Sequence, residues 1–187
     1  LVVQRIKNLR LSANGLGQRG ELSHGLLVYV GFGFAFDGSA SGGSGLKQPM
    51  DATSLKTAAR KVINLRTFSQ SSGKVGDFST QETTNSEPMN LAVKDVAGGI
   101  AIVSQFTLWA DCRKGNRPGF QNALDPESAR HSFDDLVKAF KTEAQCQSSN
   151  PIEIITGVFG SDMQIEYTND GPVTFVFDIC QGRVLAV

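Results

Sequence analysis

Two short strings carry the residues able to do chemistry: Ser104-Gln105-Phe106-Thr107-Leu108 and Asn169-Asp170-Gly171-Pro172-Val173-Thr174. The first follows the apolar run Gly99-Ile100-Ala101-Ile102-Val103, so it reads as a buried strand emptying into a polar tip. Such a tip gathers hydroxyls, an amide and backbone N–H groups at one rigid place. A carbonyl ester under attack needs donors where its oxyanion develops, and preorganised N–H groups meet that need. No histidine lies near Ser104 or Thr107 in sequence, so neither hydroxyl has a visible base. Long-range pairing with His24 or His131 has no support in the sequence. Gly99 to Leu108 is expected as strand, and the bland alternative for Ser104–Leu108 is an ordinary strand end, with Phe106 and Leu108 facing the core and Thr107 favouring β geometry.

The second string sets Gly171-Pro172 between a polar turn and the apolar run Val173 to Phe177. Gly and Pro punctuate loops everywhere, and proline is acceptable as the first residue of a strand. Gly171 permits backbone angles closed to other residues.

The elements that must hold these strings follow from the periodicity. Leu1 to Ile6 reads as a strand, a turn falls at Asn14-Gly15, and Gly25 to Val30 is a second apolar run. Asp51 to Leu65 has helical spacing, with Leu55, Ala58, Ala59, Val62 and Ile63 on one face and Asp51 as N-cap. Asp125-Pro126-Glu127 opens a second helix, whose stripe is Ala129, Phe133, Leu136, Val137 and Phe140. Strands are expected at Ile152–Thr156, Met163–Thr168 and Val173–Ile179. Gly31 to Gly45 is glycine-rich, but Phe36 stands where the third glycine of a dinucleotide motif belongs, so a flexible insertion is expected there. Ser69 to Pro88 reads as a long polar loop. Strands with two helices between them predict a single α/β domain, residues 1–187, of packed β-sheets with two helices covering one sheet face.

The 187 residues carry 18 basic and 18 acidic side chains, so net charge is zero. A protein that coats a long stretch of nucleic acid carries a basic excess, so any RNA contact here is local. Cys112, Cys146 and Cys180 show no C-x-x-C spacing, which suits a reducing cytoplasm. With two histidines, no zinc constellation is legible, and no metal or organic cofactor is expected. No apolar stretch approaches the roughly 20 residues of a membrane span. The missing initiator Met suggests a trimmed N-terminus or a chosen boundary.

In this order, the two strings resemble the signature motifs of the D-aminoacyl-tRNA deacylase family. The resemblance runs from Gln4 to about Asp178. It implies hydrolysis of the ester that links a D-amino acid, or glycine, to tRNA, as a proofreading step of translation. It implies that Ser104, Gln105, Phe106 and Thr107 line the catalytic pocket for the charged terminal adenosine. Whether Thr107 is the nucleophile or the substrate's 2′-hydroxyl assists is open, and the absent base favours the second. It further implies a homodimer with its active site at the subunit interface, where Asn169, Gly171 and Pro172 discriminate chirality. There a cis Gly171-Pro172 bond turns its carbonyls into the partner's pocket, a bend that costs little only before proline. A backbone wall would reject every L side chain alike. Sparing L substrates ten-thousandfold takes roughly 5.5 kcal/mol, more than the about 1–3 kcal/mol of one lost apolar contact. Steric exclusion is the better account.

Three further matches extend the resemblance. Gln4-Arg5 resembles the family's N-terminal pair, whose Arg braces the Gly-Pro loop. Gly157-Val158-Phe159-Gly160-Ser161-Asp162-Met163 resembles the segment on the adenine side, which implies that Phe159, Gly160 and Met163 bind adenosine; the alternative for Phe159 and Met163 is core packing. Arg113-Lys114-Gly115-Asn116-Arg117-Pro118 is a basic loop, either solvated or set against acceptor-end phosphates. Residues 33–48 and 69–88 depart from the family as insertions. The rival function is a nucleic-acid-binding accessory protein of the same fold without hydrolysis.

Overall fold

In the computed structural model, the described residues are 1–33, 50–70, 87–147 and 151–185. Chain order begins β1 (Val2–Ala13), β2 (Gly17–Val30), α1 (Ala52–Asn64), β3 (Arg66–Phe68) and β4 (Leu91–Ala92). It continues β5 (Gly99–Ser104), α2 (Pro126–Gln147), β6 (Ile154–Thr156), β7 (Met163–Val176), β8 (Asp178–Cys180) and β9 (Arg183–Leu185). The main sheet has five strands in the order β6-β5-β2-β1-β7. β1 pairs antiparallel with β2 and with β7, whereas β2, β5 and β6 run parallel. β3-β4 and β8-β9 are separate two-stranded ribbons.

Both helices cover one face, as their apolar stripes require. Leu55, Ala58, Ala59, Val62 and Ile63 of α1 and Phe133, Leu136 and Phe140 of α2 pack on Val3, Leu26, Val28, Ile100 and Ile102. Asp51 caps α1 by accepting from the Ser54 amide at 2.8 Å, and Asp125 accepts from the Ser128 amide at 3.0 Å at the start of α2. Burial alone would push the Asp51 carboxyl up, but its bonds from Ser54 outweigh this and hold it below the usual carboxylate range. Asp125 is lowered by the Ser128 amide and hydroxyl.

The opposite face buries Ile6, Leu9, Leu11, Leu27, Ala101 and Val103, with Tyr29, Met163, Ile165 and Tyr167 packed against them. Asn8 sits at φ 51°, a region asparagine tolerates, and this kink lets Ile6, Leu9 and Leu11 share one face despite their spacing. A side chain at Gly157 would collide with Met163, so glycine there lets the start of β7 close against Val103.

Three sequence expectations change. The predicted strand Gly99–Leu108 stops at Ser104, and Phe106–Trp109 forms a 3-10 turn. The physical reason is loss of partners: β6 pairing ends at Ile102, β2 pairing at Ser104, and the Gln105 amide makes a last bond to the Val30 carbonyl at 2.7 Å. Phe106 and Leu108 therefore do not face the core; they are 59% and 42% exposed. The expected turn between Met163–Thr168 and Val173–Ile179 is a bulge within the continuous β7, because β1 keeps pairing on both sides of it. Sequence reading also missed β3, β4 and β9 and most of the first half of β2. The expected insertions at 33–48 and 69–88 lie, but for their edges, outside the described residues.

Candidate active site

Parallel strand β5 delivers Ser104 to the end of the sheet, and the 3-10 turn folds the following residues over a cavity of about 670 Å³. That volume is within the about 300–1,000 Å³ of ordinary ligand sites. Ser104, Gln105 and Phe106 line one side, and Phe159, Gly160 and Met163 line another. Phe106 and Phe120 meet edge to face, centroids 4.9 Å apart. The sequence thus brings these six expected residues together, although they come from segments over fifty residues apart.

Thr107 is not among the cavity-lining residues. It is exposed, and its hydroxyl accepts from the Gln105 side-chain amide. His24 is bonded to the Val96 carbonyl at 2.9 Å and to Ser23 at 3.0 Å, and His131 is exposed on α2. The amides of Phe106 and Thr107 open the 3-10 turn and lack an intrahelical acceptor. Among the described residues no backbone carbonyl takes them.

Residues missed in the sequence complete the rim. Phe120, Ala123, Leu124 and Pro126 line the cavity, and Arg130 of α2 lies over the Phe159 ring at 4.8 Å. Nothing in local sequence links Arg130 to Phe159, since only the tertiary fold sets α2 against the β6–β7 connection. In the basic loop, Arg113 binds Asp111 through Nε at 2.8 Å and Nη2 at 2.7 Å, holding that carboxyl well below the usual range. Lys114 and Arg117 are exposed beside it.

The second string lies elsewhere in the chain. On β1, Gln4 pairs with Thr174 and Ile6 with Asn169, so residues 170–173 of β7 swell outward opposite Arg5 alone. The Gly171–Pro172 bond is cis, and Gly171 has φ 128°. Arg5 Nε reaches the Asp170 carboxylate at 2.9 Å and its carbonyl at 3.2 Å, Arg5 Nη1 donates to the Thr67 carbonyl at 2.6 Å, and Lys7 adds an ion pair to Asp170 at 3.1 Å. The register sets Arg5 level with Leu26 and hence with Ile100. Gly171 is then three strand spacings from β5, about 14 Å, and about 13 Å along the strand from the level of Ser104.

Among the described residues no group of His, Cys, Asp and Glu has the composition of a metal site, and the cysteines are free thiols. No helix there is long and apolar enough to cross a membrane.

Comparison with known proteins matches residues 2–178 to the model of the D-Tyr-tRNA(Tyr) deacylase family. A D-aminoacyl-tRNA deacylase of Chlorobaculum tepidum is 37% identical over 177 residues, covering 95% of each chain. Among solved structures, one described as the c-Myc DNA unwinding element binding protein superposes with TM-score 0.66 at 28% identity, over 93% of this chain and 94% of that one. Another, described as a probable eukaryotic D-amino acid tRNA deacylase, gives TM-score 0.68 at 16% identity, over 93% and 95%, a likeness of fold.

Proposed function

Because this chain belongs to the D-Tyr-tRNA(Tyr) deacylase family and hydrolyses the ester of D-aminoacyl-tRNA, we propose that the cavity below Phe106 takes the charged terminal adenosine and that a second copy supplies the chiral filter. The observation that carries this reading is the separation of the two strings. The pocket of one chain gathers Ser104, Gln105 and Phe106 with Phe159, Gly160 and Met163, while Asn169, Gly171 and Pro172 stand three strands away. They stand on β7, an edge strand whose outer side is unpaired in the main sheet among the described residues. The bulge therefore stands at the margin of its own sheet and away from its own pocket, where it is open to a second chain, and a symmetric dimer can set each bulge against the other pocket.

Water adds to the ester carbonyl, and the developing oxyanion is met by the Phe106 and Thr107 amides. Collapse of the tetrahedral intermediate breaks the bond to the ribose oxygen; the neighbouring ribose hydroxyl gives that oxygen its proton and takes in turn the proton lost by the attacking water, so it ends unchanged. Adenine lies against Phe159 and Met163, and Arg130, fixed over Phe159, offers its outward donors to the terminal phosphate. Glycyl-tRNA is a substrate too, because a wall that stops L side chains does not touch a hydrogen. The reaction belongs to translation proofreading in the cytoplasm.

A second reading is favoured by one observation, the 28% identity to a protein described as binding a DNA unwinding element. In that reading the fold binds nucleic acid without hydrolysis. The net charge of zero leaves little for extended backbone binding. The deciding assay offers D-tyrosyl-tRNA, glycyl-tRNA, L-tyrosyl-tRNA and a free D-tyrosine ester. Turnover of the first two alone supports the proposal. Binding without turnover overturns it, and so does equal turnover of D- and L-tyrosyl-tRNA.

A further inference from the structure

The bulge on β7 is anchored on both faces of the sheet, and the second anchor is unexplained by the reaction. On the helix-covered face, Arg5 and Lys7 hold Asp170. On the other face, the Tyr167 hydroxyl donates to Gln4 Oε1 at 3.0 Å. Tyr167 lies two residues before Asn169, where regular pairing with β1 stops, and Gln4 pairs with Thr174, where it resumes. This hydrogen bond therefore ties the incoming stem of the bulge to the β1 residue opposite its outgoing stem. Tyr29 packs on the same face, and its phenol is pushed up to about 12 by burial and by the neighbouring Tyr167. All three anchors, Gln4, Arg5 and Lys7, come from one strand, so β1 acts as a spine. A four-residue excursion would otherwise be restrained on one side only.

We infer that Tyr167, through Gln4, is a positioning residue that fixes the Gly171–Pro172 bulge in the place from which it discriminates between enantiomers. This rests on the filter reading proposed above. Tyr167 does not line the pocket, so its hydroxyl has no part in ester hydrolysis itself. A steric filter is sensitive to small displacement, whereas hydrolysis of a substrate that never meets the wall is not.

The test compares kcat/KM for D-tyrosyl-tRNA and L-tyrosyl-tRNA in Tyr167→Phe, Gln4→Met and the double variant, with Gly171→Ala as reference. Tyr167→Phe keeps the ring and loses only the hydroxyl. It should lower the D-over-L ratio about five-fold, the weight of one net hydrogen bond, mostly by gain of L turnover. Gln4→Met removes the same bond from its other end, so the double variant should match either single one. A purely structural role would lower both substrates in parallel and leave the ratio unchanged. An unchanged ratio in both single variants, with a fall in Gly171→Ala, overturns the Tyr167 assignment and spares the filter. An unchanged ratio in all of them overturns the filter as well.

Discussion

At the scale of single residues, the proposed chemistry rests on backbone more than on side chains. The Thr107 hydroxyl is occupied by Gln105, and neither histidine is bonded to it. Thr107→Ala should therefore keep its single-turnover deacylation rate within about tenfold, whereas loss of an activated nucleophile costs several orders of magnitude. Bulk is a different matter: Ser104→Trp fills the cavity and should abolish turnover with the fold intact. Gly171 is equally restrictive. At φ 128° an added Cβ would lie 2.8 Å from the Val173 amide nitrogen, so Gly171→Ala must shift the bulge and weaken rejection of L substrates. Arg130 contributes charge at the rim. In Arg130→Gln, the slope of log KM against log salt should shrink by about 0.7, the share of one phosphate contact on a single strand.

At the scale of elements, helix α2 supplies the wall of the pocket from its first turn, and its register depends on the Asp125 cap. Asp51 does the same for α1. Both carboxyls are held below their ordinary value in the folded protein. A depressed carboxyl adds stability that is complete above its unfolded value, about pH 4, and is lost as pH falls through the lower folded value. Asn caps as well as Asp without titrating. The Asp51→Asn, Asp125→Asn double variant should thus melt near the wild-type temperature at pH 7 and show a shallower loss below pH 4, followed by circular dichroism. These helices were legible because capping and a 3.6-residue stripe are local signals. The end of β5 was not legible, since Phe106 and Leu108 continue the strand's alternation and only the missing neighbours β6 and β2 stop it. Nor was the bulge: Gly171-Pro172 reads as a turn until β1 is seen to pair with Thr168 and Thr174 on either side. The pocket residues Ser104 to Phe106, Phe159, Gly160 and Met163 could be named from resemblance, while Phe120 and Arg130 depend on tertiary contacts that leave no trace in local sequence.

At the scale of the molecule, one chain holds a pocket and a Gly171–Pro172 bulge that do not meet. In a two-fold dimer each bulge would face the other chain's pocket, so the active species should scatter light as a dimer at assay concentration. A fully active monomer would rule out a filter supplied by a second chain. The most direct test mixes subunits. Ser104→Trp chains carry an intact bulge and a filled pocket; Gly171→Ala chains carry an open pocket and a displaced bulge. With Ser104→Trp in large excess, every open pocket sits in a mixed dimer. D-over-L selectivity of those pockets should return to the wild-type value, because each is faced by an unaltered bulge. Selectivity that stays at the level of the Gly171→Ala homodimer would rule out a filter supplied by the partner subunit, since it would then act within its own chain or not at all.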